Sequence, residues 1–305
     1  MEGMINQISN GVDFLRHKKI YLSFIIVLSL ASLSSLIVFG LKPGIDFTGG
    51  SILEIEYTGD RPSNQAIEGA LEGLDLGLAS LQLSGEKGVI ITMKAIDESL
   101  HQEVLGKLGP ETVEENRFES VGSVIGKELK QKTITLILVS LLAIVLYIAL
   151  AFRRVQRPVK SWQYAVSSLA CLAHDVLIPL GVFAVLGKFF GVEISIAVVT
   201  ALLTVVGCSI NNVIVVFDRI RENTIKGSGL TFDDTVNKSI NQTLGRCLNT
   251  SFAYLLPLFA IFFFGGETLK YFSLALIIGI VAGTYSSIFL ASPVLVSWLK
   301  RYPKT

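Results

Sequence analysis

Six apolar stretches, each close to the roughly 20 residues that carry a helix across a hydrocarbon core, constrain this chain before anything else does. They cover residues 20–41, 134–152, 164–186, 194–217, 247–264 and 272–299. In lipid a backbone must satisfy its own hydrogen bonds, so each stretch reads as a spanning helix. Hydrophobic residues make up 51% of the chain, charged residues 17%, and the net charge is +1. That profile excludes an ordinary water-soluble domain and predicts a lipid bilayer as the surroundings, with no nucleic acid among the partners.

The basic residues sort by connection. Arg16, Lys18 and Lys19 precede the first stretch, and Arg153, Arg154, Arg157 and Lys160 join the second to the third. Arg219, Arg221, Lys226 and Lys238 lie between the fourth and fifth, and Lys300, Arg301 and Lys304 follow the sixth. With alternating helices all four clusters fall on one side, which the positive-inside rule makes the cytoplasm. Both termini are therefore expected there. The first stretch is longer than a signal-peptide core and no small-residue cleavage pattern follows it, so it is expected to remain as a helix. The expected organisation is a cytoplasmic N-terminus and first helix over 1–41, an external domain over 42–131, and helices two to six over 132–299. An amphipathic cytoplasmic segment lies near 218–246, and a short tail covers 300–305.

The external segment changes pattern. Residues 51–57 alternate apolar and polar, as a half-buried strand does. Residues 64–74 have helical spacing behind Ser63 as N-cap. Strands are expected at 78–83 and 89–93 around a Gly-containing turn at 84–88, then a helix over 97–108 and a strand over 112–121. The order βαββαβ predicts a ferredoxin-like α+β domain. Asp46 and Phe47, with Gly44, Gly49 and Gly50 around them, mark the junction with the first helix, where glycines allow tight turns and close contact. A rigid connector is the expected role, with direct substrate contact as the alternative.

Nothing in the chain suggests an enzyme. Gly122–Lys127 lacks the spacing of a phosphate loop, and no catalytic Ser/His/Asp set or carboxylate pair emerges. Cys171, Cys208 and Cys247 all fall in expected helices, without a metal-binding cluster or an external disulfide. No cofactor and no metal are expected.

Polar residues at membrane depth carry the functional interest, since an ionisable group there costs about 2.5 to 3.5 kcal/mol on insertion scales. His174 and Asp175 sit near the middle of the third helix, where neighbours on a helix point about 100° apart and must serve different partners. Asp175 either locks the bundle by accepting hydrogen bonds or carries protons. On the fourth helix Ser209, Asn212, Val213 and Val216 share a face, with Asn211 one step around. Amide side chains need hydrogen-bond partners that lipid does not supply, so both are expected to point into a bundle. Asp218, Arg219, Arg221 and Glu222 end this helix in a solvated charged face, with a hinge or docking role as the alternative. Val236, Ile240 and Leu244 suggest a separate interfacial amphipathic helix over 232–244. Gly279 and Gly283 form a close-packing pair, and Pro179, Pro257 and Pro293 are expected to interrupt three helices.

Four stretches together resemble the SecD/SecF family of protein-export membrane proteins, in the resistance-nodulation-division superfamily. They are Gly44-Ile45-Asp46-Phe47-Thr48-Gly49-Gly50, Ser209-Ile210-Asn211 with Val215 to Asn223, Ser239 to Leu244, and Gly283 to Phe289 with Ala291-Ser292-Pro293. The resemblance is to the SecF side and covers nearly the whole chain. It implies half of a twelve-helix bundle, a SecD second half, the SecYEG channel and YajC as further partners, and an unfolded secretory polypeptide as substrate moved with the proton-motive force. It also implies a proton-relay Asp at the position of Asn212 and a functional Arg matched by Arg246. The amide departs from that pattern. A deliberate Asp-to-Asn change, a relay moved to the partner subunit, and a relay through Asp175 all remain open. A scaffold subunit without a relay is the first rival; a small-molecule exporter is the second, disfavoured by the small external domain.

Overall fold

The computed structural model describes residues 12–110, 112–151, 159–226 and 231–301. Arg153, Arg154, Arg157 and Lys304 of the basic clusters lie outside them. In chain order the elements are α1 (Lys18–Phe39), α2 (Ile45–Thr48), β1 (Gly50–Tyr57), α3 (Asn64–Leu71), β2 (Ser80–Ser84), β3 (Gly88–Met93), α4 (Glu98–Leu108) and β4 (Val113–Val121). There follow α5 (Ser123–Ala151), α6 (Ser161–Phe190), α7 (Ile196–Ile225), α8 (Phe232–Phe264), α9 (Glu267–Phe289) and α10 (Ala291–Arg301). Two compact units result: residues 1–41, 138–188 and 197–305 form one, and 42–137 with 189–196 form the other.

The inserted unit is a four-stranded antiparallel sheet in the order β2-β3-β1-β4. Along β1 the alternation read from the sequence becomes a buried face of Leu53, Ile55 and Tyr57, with Glu54 and Glu56 turned away from it. Ile67 and Leu71 of α3 and Val104 and Leu108 of α4 pack on that face together with Val89, Ile91 and Met93. Each such side chain contributes about 1.5 to 3 kcal/mol by leaving water. Ser63 and Asp97 cap the two helices, accepting from the amides of Ala66 at 3.3 Å and Leu100 at 3.0 Å. In α4, Gln102 and His101 donate to the exposed Glu98 carboxylate and hold it below the usual carboxylate range.

The other unit contains the helices long and apolar enough to cross a membrane, six among the described residues when α9 and α10 count as one path. Its centre is α6, α7 and α9, where small residues let backbones approach. A Cβ added at Gly181 would stand 2.6 Å from the Cα of Ser32, so α1 lies directly on α6 there. The Ser35 hydroxyl donates to the Gly181 carbonyl at 2.9 Å. Tyr164 meets Phe217 edge-on, with ring centres 5.1 Å apart.

Three expectations need correction. The second spanning helix starts at Ser123 rather than near 134, because its polar first turns remain helical outside the apolar run and carry a Glu128–Lys132 ion pair at 2.7 Å. Residues 218–225 of the segment expected near 218–246 are the end of α7, and the amphipathic segment over 232–244 is the first part of the unbroken α8 rather than a helix of its own. Thr231 and Asp234 close a capping box at its start, and Gly245 alone does not break the helix. Its Val236 and Ile240 are buried in the helical core. The sixth apolar run is two helices divided at Leu290. Pro293 sits in the first turn of α10, where a missing N–H costs little, whereas Pro179 and Pro257 lie inside continuous helices.

Candidate functional site

The middle of the helical unit holds two adjoining polar clusters. His174 is buried, and Asp175 beside it is completely buried. As their helical spacing requires, they serve different partners. The His174 ring lies between two hydroxyls, Nδ1 at 2.7 Å from Ser29 Oγ and Nε2 at 2.6 Å from Tyr285 Oη. Ser29 donates to the Ile25 carbonyl at 2.8 Å. A ring that donates from Nδ1 to Ser29 and accepts at Nε2 from Tyr285 satisfies all three groups in one tautomer.

Asp175 Oδ2 accepts from the Ser209 hydroxyl of α7. Its Oδ1 has no hydrogen-bond partner, and no cation pairs with Asp175 among the described residues. Gly283 makes the approach possible: a Cβ there would stand 3.0 Å from Ser209 Cβ and 3.4 Å from Asp175 Oδ2. Among the described residues Asp175 is the only buried carboxylate.

One turn along α7 from Ser209, the buried Asn212 donates to Ser251 Oγ of α8 at 3.4 Å. Thr284 Oγ1 of α9 lies 2.6 Å from Ser251 Oγ and also 2.6 Å from the Ile280 carbonyl. Amide and hydroxyls thus stitch α7, α8 and α9 together without a group that titrates. Gly283, Thr284 and Tyr285 follow one another in α9, and each serves a different partner: Asp175, Ser251 and His174. The hydroxyls of Ser29, Ser251, Thr284 and Tyr285 are the site groups that sequence reasoning missed.

Two expected members stand apart. Asn211 is exposed on α7, so only one of the amide pair points into this bundle. It continues an exposed line of small and polar residues, Thr200, Thr204 and Gly207, at helical spacing. Arg246 is exposed on α8, with no ion-pair partner among the described residues.

At the far end of α7 the charges pair locally, Arg221 with Asp218 at 2.7 Å and Arg219 with Glu222 at 2.5 Å. Such exposed pairs contribute about 0 to 1 kcal/mol. The firmer tie to α8 is Asn223, which donates to Ser239 Oγ and Gln242 Oε1, each at 2.8 Å. Arg219 adds a 2.7 Å bond to the same Gln242. In the inserted unit, Asp46 and the half-buried Phe47 lie in α2, with Gly49 and Gly50 leading into β1. Gly49 has φ +74°, and a Cβ on it would stand 2.7 Å from Ser123 Cα.

The family described as "Protein export membrane protein SecD/SecF, C-terminal" matches residues 101–301, and the "SecD/SecF GG Motif" matches residues 34–60. The chain is 40% identical to the protein translocase subunit SecF of Thermobaculum terrenum over 94% of both chains. Identity is 36% to the SecF of Synechocystis, covering 86% of this chain and 85% of that one. A crystal structure of SecDF from Thermus thermophilus, a translocon-associated membrane protein, superposes with a TM-score of 0.83 at 33% identity. That match covers 95% of this chain and 39% of the SecDF chain, so this chain spans about two fifths of that larger protein. With spanning helices, inserted sheet and motifs all accounted for, the chain is a multi-pass membrane protein that belongs to the SecD/SecF protein-export family, among its SecF translocase subunits.

Proposed function

We propose that this chain is a non-enzymatic subunit that helps secreted, unfolded polypeptides across the bacterial cytoplasmic membrane, using the proton-motive force, with SecD as its second half and SecYEG as the channel it serves. YajC is a further partner in this reading. The inserted sheet is a ferredoxin-like domain on the external side, the termini are cytoplasmic, and the domain boundaries follow from that topology. The observation that carries the reading is the exchange of roles inside the bundle. Asn212 is a hydrogen-bonded amide that cannot titrate, while Asp175 is a buried carboxyl with an open oxygen. Asp175 is therefore the proton-carrying group of this subunit, with His174 in the adjoining cluster and Asn212 in the fixed packing around them.

The exposed Asn211 amide, beside the small exposed Gly207, supports SecD as partner, because an amide side chain on a spanning helix needs protein rather than lipid. Arg246 finds its counter-charge on that partner in the same reading. A scaffold role without proton carriage is the second reading, favoured by the amide at 212 alone.

Cells depleted of their own SecF test the function. Co-expression of this chain with its matched SecD restores export of a secreted reporter; unchanged export of the reporter contradicts the assignment. The same cells test the interface. A Cβ at Gly207 meets nothing within 4 Å among the described residues. Gly207→Leu therefore leaves the subunit folded but abolishes co-purification of SecD, and retention of SecD refutes the proposed face.

A further inference from the structure

The Asp46 motif does more than join α1 to the sheet. The Ile196 amide, the first of α7, donates to Asp46 Oδ2 at 2.7 Å, across 150 residues of sequence. Around that bond the chain leaving α1 and the turn entering α7 form a short ladder. Ile194 N donates to the Lys42 carbonyl at 2.7 Å, and Gly44 N donates to the Ile194 carbonyl at 2.9 Å. Lys42 pairs with Glu193 at 3.0 Å. Gly44 is needed for this approach, since a Cβ on it would stand 3.1 Å from the Ile194 oxygen. All of these residues lie in the inserted unit.

We infer that Asp46 is a positioning residue that ties the start of α7 to the root of the inserted domain. A carboxylate on the first amide of a helix engages a first-turn donor and the positive end of the helix dipole. Helix α7 is unbroken from Ile196 to Ile225, so the tie holds one end of the same rod that carries Ser209 and Asn212. A shift of α7 along its axis then moves Asp46, α2 and the start of β1 with it. The inference rests on the translocase reading for its functional consequence, but not for the tie itself.

Three forms of the full chain with its SecD decide it: wild type, Asp46→Ala and Asp46→Asn. Asn keeps an acceptor oxygen for the Ile196 amide, whereas Ala removes it. Hydrogen exchange of the first-turn amides of α7 rises about fivefold in Asp46→Ala and stays near wild type in Asp46→Asn. Export stimulated by the proton-motive force falls severalfold in Asp46→Ala alone, while ATP-driven export and SecD co-purification persist in all three. Unchanged exchange in Asp46→Ala overturns the tie. Raised exchange with full stimulation overturns the coupling role, and equal loss in Asp46→Asn assigns the charge a different task and also overturns it. A wild type without stimulated export refutes the translocase reading instead, and the exchange data still decide the tie.

Discussion

Asp175→Asn is expected to abolish stimulation of export by the proton-motive force while the subunit stays folded and bound to SecD. Asn preserves the volume and an acceptor oxygen for the Ser209 hydroxyl, and it exchanges one unpartnered buried polar atom for another. What disappears is the capacity to take up and release a proton. One charge crossing 100 mV supplies about 2.3 kcal/mol, equivalent to roughly 50-fold in an equilibrium, so losing one proton per cycle is a large effect. Export assayed with and without an uncoupler measures it. Asp175→Leu separates the structural share: it also strands the Ser209 hydroxyl, at about 1 to 3 kcal/mol, and so lowers stability as well. If Asp175→Asn retains full stimulation, the carboxyl is a packing element and the relay lies in the partner.

Gly181→Leu carries the largest expected loss of stability. Any side chain at 181 places its Cβ 2.5 Å from Ser32 Cβ and 2.6 Å from Ser32 Cα, and backbone does not yield as a flexible side chain does. One added methylene in a filled core costs about 1 to 3 kcal/mol, and a leucine here exceeds that unless α1 leaves α6 altogether. Leaving breaks the Ser35–Gly181 bond and uncovers Ser29 beside His174. Thermal unfolding in detergent measures the loss. Gly245→Ala is the control, since among the described residues nothing lies within 4 Å of its Cβ position and α8 gains about 0.5 to 1 kcal/mol of helical preference. A Gly181→Leu chain that melts with the wild type contradicts the packing of α1 on α6.

The sequence carried the site unevenly, for physical reasons. Helical period alone put Ser209, Asn212, Val213 and Val216 on one buried face with Asn211 one step around, whereas of the two amides expected to enter a bundle only Asn212 is buried in this one. It did not say whether the face of Asn211 meets this bundle or another chain, because hydropathy does not separate a lipid-facing stripe from a partner-facing one. The hydroxyls were illegible. Ser251 and Thr284 join helices, yet in sequence they look like Ser168 and Thr204, whose hydroxyls only turn back to their own helix, to the Tyr164 and Thr200 carbonyls. Apolar length finds where a helix crosses lipid and misses where it continues in water, hence the early start of α5 and the merger of the amphipathic segment into α8. The cap on α7 comes from so far back in the chain that no local signal marks it.

The most direct test of the central claim uses inverted membrane vesicles holding the translocon and SecD, with and without this chain, at fixed ATP and an imposed proton gradient. The account predicts that export of a secretory polypeptide rises with the gradient only when the chain is present, and that collapsing the gradient removes the rise. An equal rise without the chain, or none with it, contradicts the account.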